Sequence, residues 1–159
     1  MPEDAPPLRR VAVSGKYAGQ KIRVVTAEIR RDGSYLITQR LPSSILPLLW
    51  EFPGGRVREG ESPEDALERL LMDRLGVECE VGELVMEVVH EYDHYTVDMQ
   101  VFRCFLPEDA DVDHSRIHDH RWVPPAEFGN YEFPRADEST ISALLGLAPP
   151  PADEDEFVN

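Results

Sequence analysis

Residues 50–77 read WEFPGGRVREGESPEDALERLLMDRLGV, and the stretch changes character halfway along. Up to Gly60 it has no helical period and is interrupted by Pro53, Gly54 and Gly55, which marks a structured loop. From Ser62 the pattern becomes a helix start. Ser62 is an N-cap, Pro63 takes the first helical position, and Glu64 and Asp65 bring acids into the first turn. Ala66, Leu67, Leu70, Leu71 and Leu75 then recur at three- and four-residue spacings as one apolar face, and Gly76 ends the helix.

Working outward, Val11–Val13 and Lys21–Arg31 read as strands on either side of a Gly15/Gly19 turn region. Arg31-Asp32-Gly33-Ser34 is a hairpin turn signal, with Tyr35–Gln39 as the returning strand. Residues 41–61 read as one long loop, and loops of that length in a compact domain usually carry function. Downstream, 78–91 and 95–106 are strand-like; in the second, Val97, Met99 and Val101 alternate with Asp98 and Gln100. An acidic loop (107–120), a short strand at Arg121–Val123 and an amphipathic helix over 137–145 complete the pass. The order predicts an α/β domain over 11–147, a mixed β-sheet sandwiched between α-helices. A flexible arm (1–10) and an acidic, Pro-rich disordered tail (148–159) are expected to flank it.

Composition narrows the ligand classes. A chain of 159 residues with 42% apolar content is long enough for one domain with a real core. Its 31 acids against 16 Lys and Arg leave a net charge of −15, which repels nucleic-acid backbones and anionic membranes. A phosphate ligand must then be met locally, by a few arginines, backbone N–H groups or a divalent cation. Residues 1–10 hold no apolar run, so no signal peptide is expected, and no stretch has the length of a membrane span. Cys79 and Cys104 lie in apolar-alternating segments and read as buried free thiols of a reducing compartment, with a cytoplasmic location as the default.

The 50–77 stretch resembles the Nudix box: Gly, five residues, Glu, seven residues, then Arg-Glu-apolar-x-Glu-Glu-x-Gly-apolar. Gly55, Glu61, Arg69, Leu71, Gly76 and Val77 fall in register without a gap. The Arg40-to-Gly55 spacing and Phe133-Pro134-Arg135-Ala136-Asp137 are similar to MutT-like members, and the resemblance spans most of 21–146. It implies the Nudix fold and a reaction in which water cleaves a nucleoside diphosphate linked to another moiety, assisted by Mg²⁺ or Mn²⁺. Hard cations of this kind require oxygen ligands. By the same resemblance, Glu61, Asp73 and the Gly54 carbonyl are metal ligands, and Glu61 and Asp73 carry residual catalysis. Arg40 lies near substrate phosphate and Phe52 supports a base. Asp137 matches a base-contacting position, although it also reads as the N-cap of the last helix.

The chain departs from the pattern where the family concentrates its carboxylates. Leu70 and Arg74 stand in place of two glutamates, and Asp73 is a shortened version of a third. Glu68, two residues before Leu70, falls on roughly the opposite helix face and is no substitute. Two readings follow. Leu70 extends the apolar face while Arg74 pairs with a nearby acid; or Arg74 takes the place of the cation and meets a ligand phosphate directly. The expectation is a Nudix-fold protein with an impaired metal site that binds a nucleotide-like ligand or a protein partner. A Mg²⁺-dependent diphosphohydrolase of altered activity and a structural adaptor with an empty pocket are the alternatives. His114, His118, Asp119 and His120 crowd the loop where some relatives carry a catalytic acid, and they offer a second set of metal ligands.

Overall fold

The computed structural model describes residues 9–13 and 20–147. The elements are β1 (Arg9–Val13), β2 (Lys21–Arg31), β3 (Ser34–Gln39), β4 (Trp50–Glu51), β5 (Gly54–Arg56), α1 (Pro63–Leu75), β6 (Glu80–Glu91), β7 (Thr96–Phe105), β8 (Asp119–Val123) and α2 (Glu138–Leu145). A short 3₁₀ turn over Pro125–Asn130 follows β8. The sheet runs β1-β6-β7-β2-β3-β4, with β5 also paired to β2 and β8 to β3. It is mixed: β2 and β7 pair parallel, as do β1 and β6, while β6–β7 and β2–β3 are antiparallel.

The period-2 alternation of strands sends successive side chains to opposite faces. Val25, Ala27 and Ile29 of β2, with Phe102 and Cys104 of β7, face the apolar stripe of α1. Ile22 and Val24 of β2, with Val97 of β7, pack instead with Ile141 and Leu145 of α2. The two helices therefore cover opposite faces, as the apolar pattern predicts. Irregular register in β6 between Val81 and Met86 lets Val81 and Leu84 serve the α1 face while Met86 lines the other.

Four boundaries differ from the sequence expectation. Strand β1 begins at Arg9, inside the stretch assigned to a flexible arm; residues 1–8, the Gly15/Gly19 turn and the 148–159 tail lie outside the described residues. The 41–61 loop contains β4 and β5, which are two and three residues long and too short for periodicity to reveal. Strand β8 starts at Asp119, because its pairing with β3 continues through polar residues as far as Gln39. The 3₁₀ turn was not expected.

Helix α1 is capped as its sequence requires. The Ser62 side chain accepts from the Asp65 N–H, and Gly76 adopts φ 67° so that its own N–H reaches the Met72 carbonyl. Both cysteines are free and buried, and burial pushes the Cys79 thiol up to about 11 and the Cys104 thiol to about 12. No helix among the described residues is long and apolar enough to cross a membrane.

Candidate functional site

Between the sheet and α2 lies a cavity of about 650 Å³. Its floor is apolar, formed by Val24, Met86, Met99 and Val101, and α2 closes one side with Ile141, Leu144 and Leu145. At one end stand aromatic rings. Phe52 lies 5.6 Å from Phe128 and 5.7 Å from Phe133, and Tyr35 meets Phe128 edge-on at 5.9 Å. The polar wall carries Arg40, Glu51 and Arg74. A concave apolar space with a few convergent polar groups is the usual form of a small-molecule site.

The loop–helix module reaches this wall through two glycines. Gly54 pairs with Thr26 of β2, and a Cβ there would stand 2.1 Å from the Val25 carbonyl oxygen. Only glycine lets β5 lie so close to β2. Gly55 faces α1, where an added Cβ would meet Leu70 Cδ2 at 3.0 Å. Leu70 is 7% exposed and belongs to the main core. The position that resemblance would give to a metal ligand is here part of the hydrophobic packing.

Glu61 is committed elsewhere. Arg69 grips it with both arms, Nε donating to Oε2 and Nη2 to Oε1, each at 2.9 Å. The Arg58 N–H donates to it at 3.0 Å. The Arg69 hydrogen bonds, followed by that backbone N–H, bring the Glu61 carboxyl from its ordinary 4.5 down to about 2. Arg69 also donates to the Arg56 carbonyl, fastening α1 to β5. Asp73, 48% exposed, is flanked by Arg74 Nε at 4.0 Å and Arg116 Nη1 at 3.9 Å.

Arg74 points to Glu51. Its Nη1 lies 3.4 Å from Glu51 Oε1, and Arg40 Nη1 approaches the same oxygen at 3.3 Å. Arg40 is also a clamp on its own loop, donating from Nε and Nη2 to the Ile45 carbonyl and from Nε to that of Leu46. That loop holds Leu46 and Leu48 at φ 56° and 63°, a region that non-glycine residues rarely adopt. The clamp offsets this local strain.

The predicted site residues thus separate. Gly54, Arg40, Phe52 and Arg74 meet at the cavity, whereas Glu61 is held by Arg69. Asp137 caps α2: one carboxylate oxygen accepts from the Thr140 N–H and the other from its hydroxyl. Those bonds hold its carboxyl below the ordinary range. Sequence reasoning assigns no site role to Glu51, Tyr35, Phe128 or Phe133, although Phe133 lies in the MutT-like segment that ends at Asp137. Glu51 follows the buried Trp50 in a strand of two residues, so only tertiary structure brings it between two arginines.

The acidic loop brings His114 and His120 together, with His114 Nε2 2.7 Å from His120 Nδ1. Asp119 joins them, all three offering ligand atoms within 4.8 Å of one another; His118 is not in the group. Burial, then the neighbouring His114, lowers the His120 pKa. Burial opposes ionisation of Asp119, but bonds from the His120 N–H and Arg121 outweigh it and hold the carboxyl low.

Comparison with known proteins agrees with this architecture. Residues 24–143 match the family model described as NUDIX domain. The chain is 35% identical over 136 residues to the CTP pyrophosphohydrolase of Escherichia coli (strain K12), covering 83% of this chain and 98% of that protein. It is 32% identical over 127 residues to the putative 8-oxo-dGTP diphosphatase 2 of Mycobacterium tuberculosis (strain H37Rv), covering 76% and 86%. Among solved structures, that of the Escherichia coli ORF135 protein superposes with a TM-score of 0.61 at 34% identity, over 84% of this chain and 96% of that one. With the module of residues 50–77, the two-faced mixed sheet and these relatives in agreement, the chain belongs to the Nudix family.

Proposed function

We propose that this chain binds a nucleotide-like ligand in the cavity and hydrolyses it little or not at all, with Arg74 serving where family members use a helix-bound cation. The observation that carries this reading is the Arg40–Glu51–Arg74 cluster on the cavity wall, two guanidinium groups sharing one carboxylate oxygen. Asp73 lies 4.0 Å from Arg74 and Glu28 also lines the cavity, so the arginines offer a ligand their unused N–H donors and not a net positive charge. An arginine presents several N–H donors in a rigid fork suited to phosphate oxygens, and the Glu51 contact engages one nitrogen of Arg74. The aromatic end of the cavity supports the face of a base while the arginines meet the phosphates.

The residues on α1 do not suit a Mg²⁺ or Mn²⁺ ion. Leu70 offers no oxygen, Arg74 has the wrong sign of charge, and Glu61, just before the helix, already accepts two bonds from Arg69 and one from the Arg58 N–H. Asp73 alone remains, and it is shared between Arg74 and Arg116. No step of this reading runs through a metal.

A second reading has its own support. Similarity to CTP pyrophosphohydrolase runs over 98% of that protein, which favours a diphosphohydrolase that retains Glu61 and Asp73 as its acids. A panel separates the two. CTP and 8-oxo-dGTP would be assayed for binding and hydrolysis, with Mg²⁺ and with chelator, in wild type and in Leu70→Glu/Arg74→Glu. The expected result is saturable binding by wild type and hydrolysis only in the double variant. Wild-type turnover matching the Escherichia coli enzyme assayed in parallel would establish the second reading. Absence of saturable binding would leave an adaptor that meets a protein partner.

A further inference from the structure

We infer that His114, Asp119 and His120 form a binding site for a borderline divalent transition ion, Zn²⁺ foremost, separate from the Nudix helix. The three side chains converge from two elements, His114 from the acidic loop and the other two from the start of β8. Their ligand atoms lie within 4.8 Å of one another, and the two imidazole nitrogens face each other at 2.7 Å. At that distance one ring nitrogen donates to the other, the direction set by the tautomer. A metal can take both facing nitrogens once that N–H proton sits on the other nitrogen of its own ring.

The geometry is near what zinc requires. Two Zn–N bonds of about 2.1 Å at a tetrahedral angle place the nitrogens roughly 3.4 Å apart. The His114–His120 pair must open by about 0.7 Å relative to the present 2.7 Å, and His114, being exposed on a loop, is free to supply that movement. Asp119 is already oriented: its Oδ1 accepts from the His120 N–H at 2.8 Å and its Oδ2 from Arg121 Nε at 3.0 Å. An ionised carboxylate has about four lone-pair sites. Those two bonds therefore leave room for a metal while fixing the carboxylate's direction, as the outer partners of metal ligands do. Two imidazoles and one carboxylate favour Zn²⁺, Co²⁺ or Ni²⁺ over Mg²⁺, which prefers an all-oxygen shell. A fourth position stays open to water or an anion.

The consequence reaches α1. The segment that carries His114 docks on the end of that helix, with the Asp113 N–H donating to the Leu75 carbonyl at 2.8 Å and Arg116 reaching Asp73 at 3.9 Å. A metal joining His114 to β8 cross-links this segment to the sheet.

The test is a titration of tag-free, chelator-stripped protein with Zn²⁺ by calorimetry and with Co²⁺ by visible absorption. One equivalent is expected to bind, with Co²⁺ d–d bands showing nitrogen and oxygen ligation. His114→Ala and His120→Ala each should weaken binding by at least ~10-fold, and Asp119→Asn should weaken it less. His118→Ala should leave affinity unchanged, and circular dichroism should confirm that every variant is folded. Imidazole NMR of wild type should move the His114 and His120 resonances on addition of Zn²⁺. Absence of saturable binding up to roughly 100 μM, unchanged affinity in the His114→Ala/His120→Ala double variant, or an equal loss in His118→Ala would overturn the site.

Discussion

The two halves of the loop–helix module, joined at Ser62, have met different fates. The first half and the opening turns of α1 keep every contact that builds the frame: Gly54 against β2, Glu61 gripped by Arg69, Arg69 tied to the Arg56 carbonyl. The last two turns of the same helix keep the packing and replace the charges. Leu70 joins the core and Arg74 turns to Glu51. Both halves contribute to folding, the first through the Gly54 and Arg69 contacts and the second through Leu70, Leu71 and Leu75. Both also line the cavity, through Glu51 and Phe52 on one side and Arg74 on the other.

The largest effect should come from breaking the frame. Gly54→Ala forces a Cβ to 2.1 Å from a backbone carbonyl, which no side-chain movement relieves. A loss of more than about 3 kcal/mol in urea denaturation is expected, with β5 pulled from β2. Next comes Leu70→Glu, which buries a carboxylate in the packing beside Gly55 and should cost about 3 kcal/mol. In the Leu70→Glu/Arg74→Glu variant, Mg²⁺ should restore part of that stability by raising Tm; in Leu70→Glu alone it should restore little, since Arg74 repels the ion.

Smaller effects follow from single polar partners. Glu61→Gln should lower Tm by several degrees at pH 7 through loss of the ionised pair with Arg69. Because the folded carboxyl titrates near 2 and the free one near 4.5, the stabilisation is complete above 4.5. It fades as the pH falls toward 2, so the two melting curves should converge over that window. Asp137→Ala should have the smallest effect: a few degrees in Tm from the lost cap of α2, with ligand affinity unchanged. Altered affinity there would return Asp137 to the binding surface.

These contrasts also explain what was legible in the sequence. Helix α1 was readable to its caps, since Ser62-Pro63 and Gly76 act through local backbone chemistry. The β2–β3 hairpin was readable from Asp32 and Gly33, both at positive φ. Strands β4 and β5 were not, because two or three residues carry no period and their pairing is imposed by β3 and β2. The site divided likewise. The box register located Leu70, Asp73 and Arg74, but the partner of Arg74 depended on Glu51, 23 residues away in sequence. Arg40, which the resemblance sets near a substrate phosphate, lines the cavity, and its role as a clamp on Ile45 and Leu46 needs the backbone turn to be seen. Asp137 fitted two readings at once, and the hydrogen bonds to Thr140 account for both of its oxygens.

The central claim is that Arg74 has replaced a cation in ligand binding, and isothermal calorimetry tests it most directly. Wild type and Arg74→Glu would each be titrated with CTP, once with Mg²⁺ and once with chelator. The account predicts wild-type affinity that is the same within about twofold in both buffers and a drop of at least ~10-fold in Arg74→Glu. Wild-type binding that vanishes with chelator, or affinity that survives Arg74→Glu intact, would contradict it.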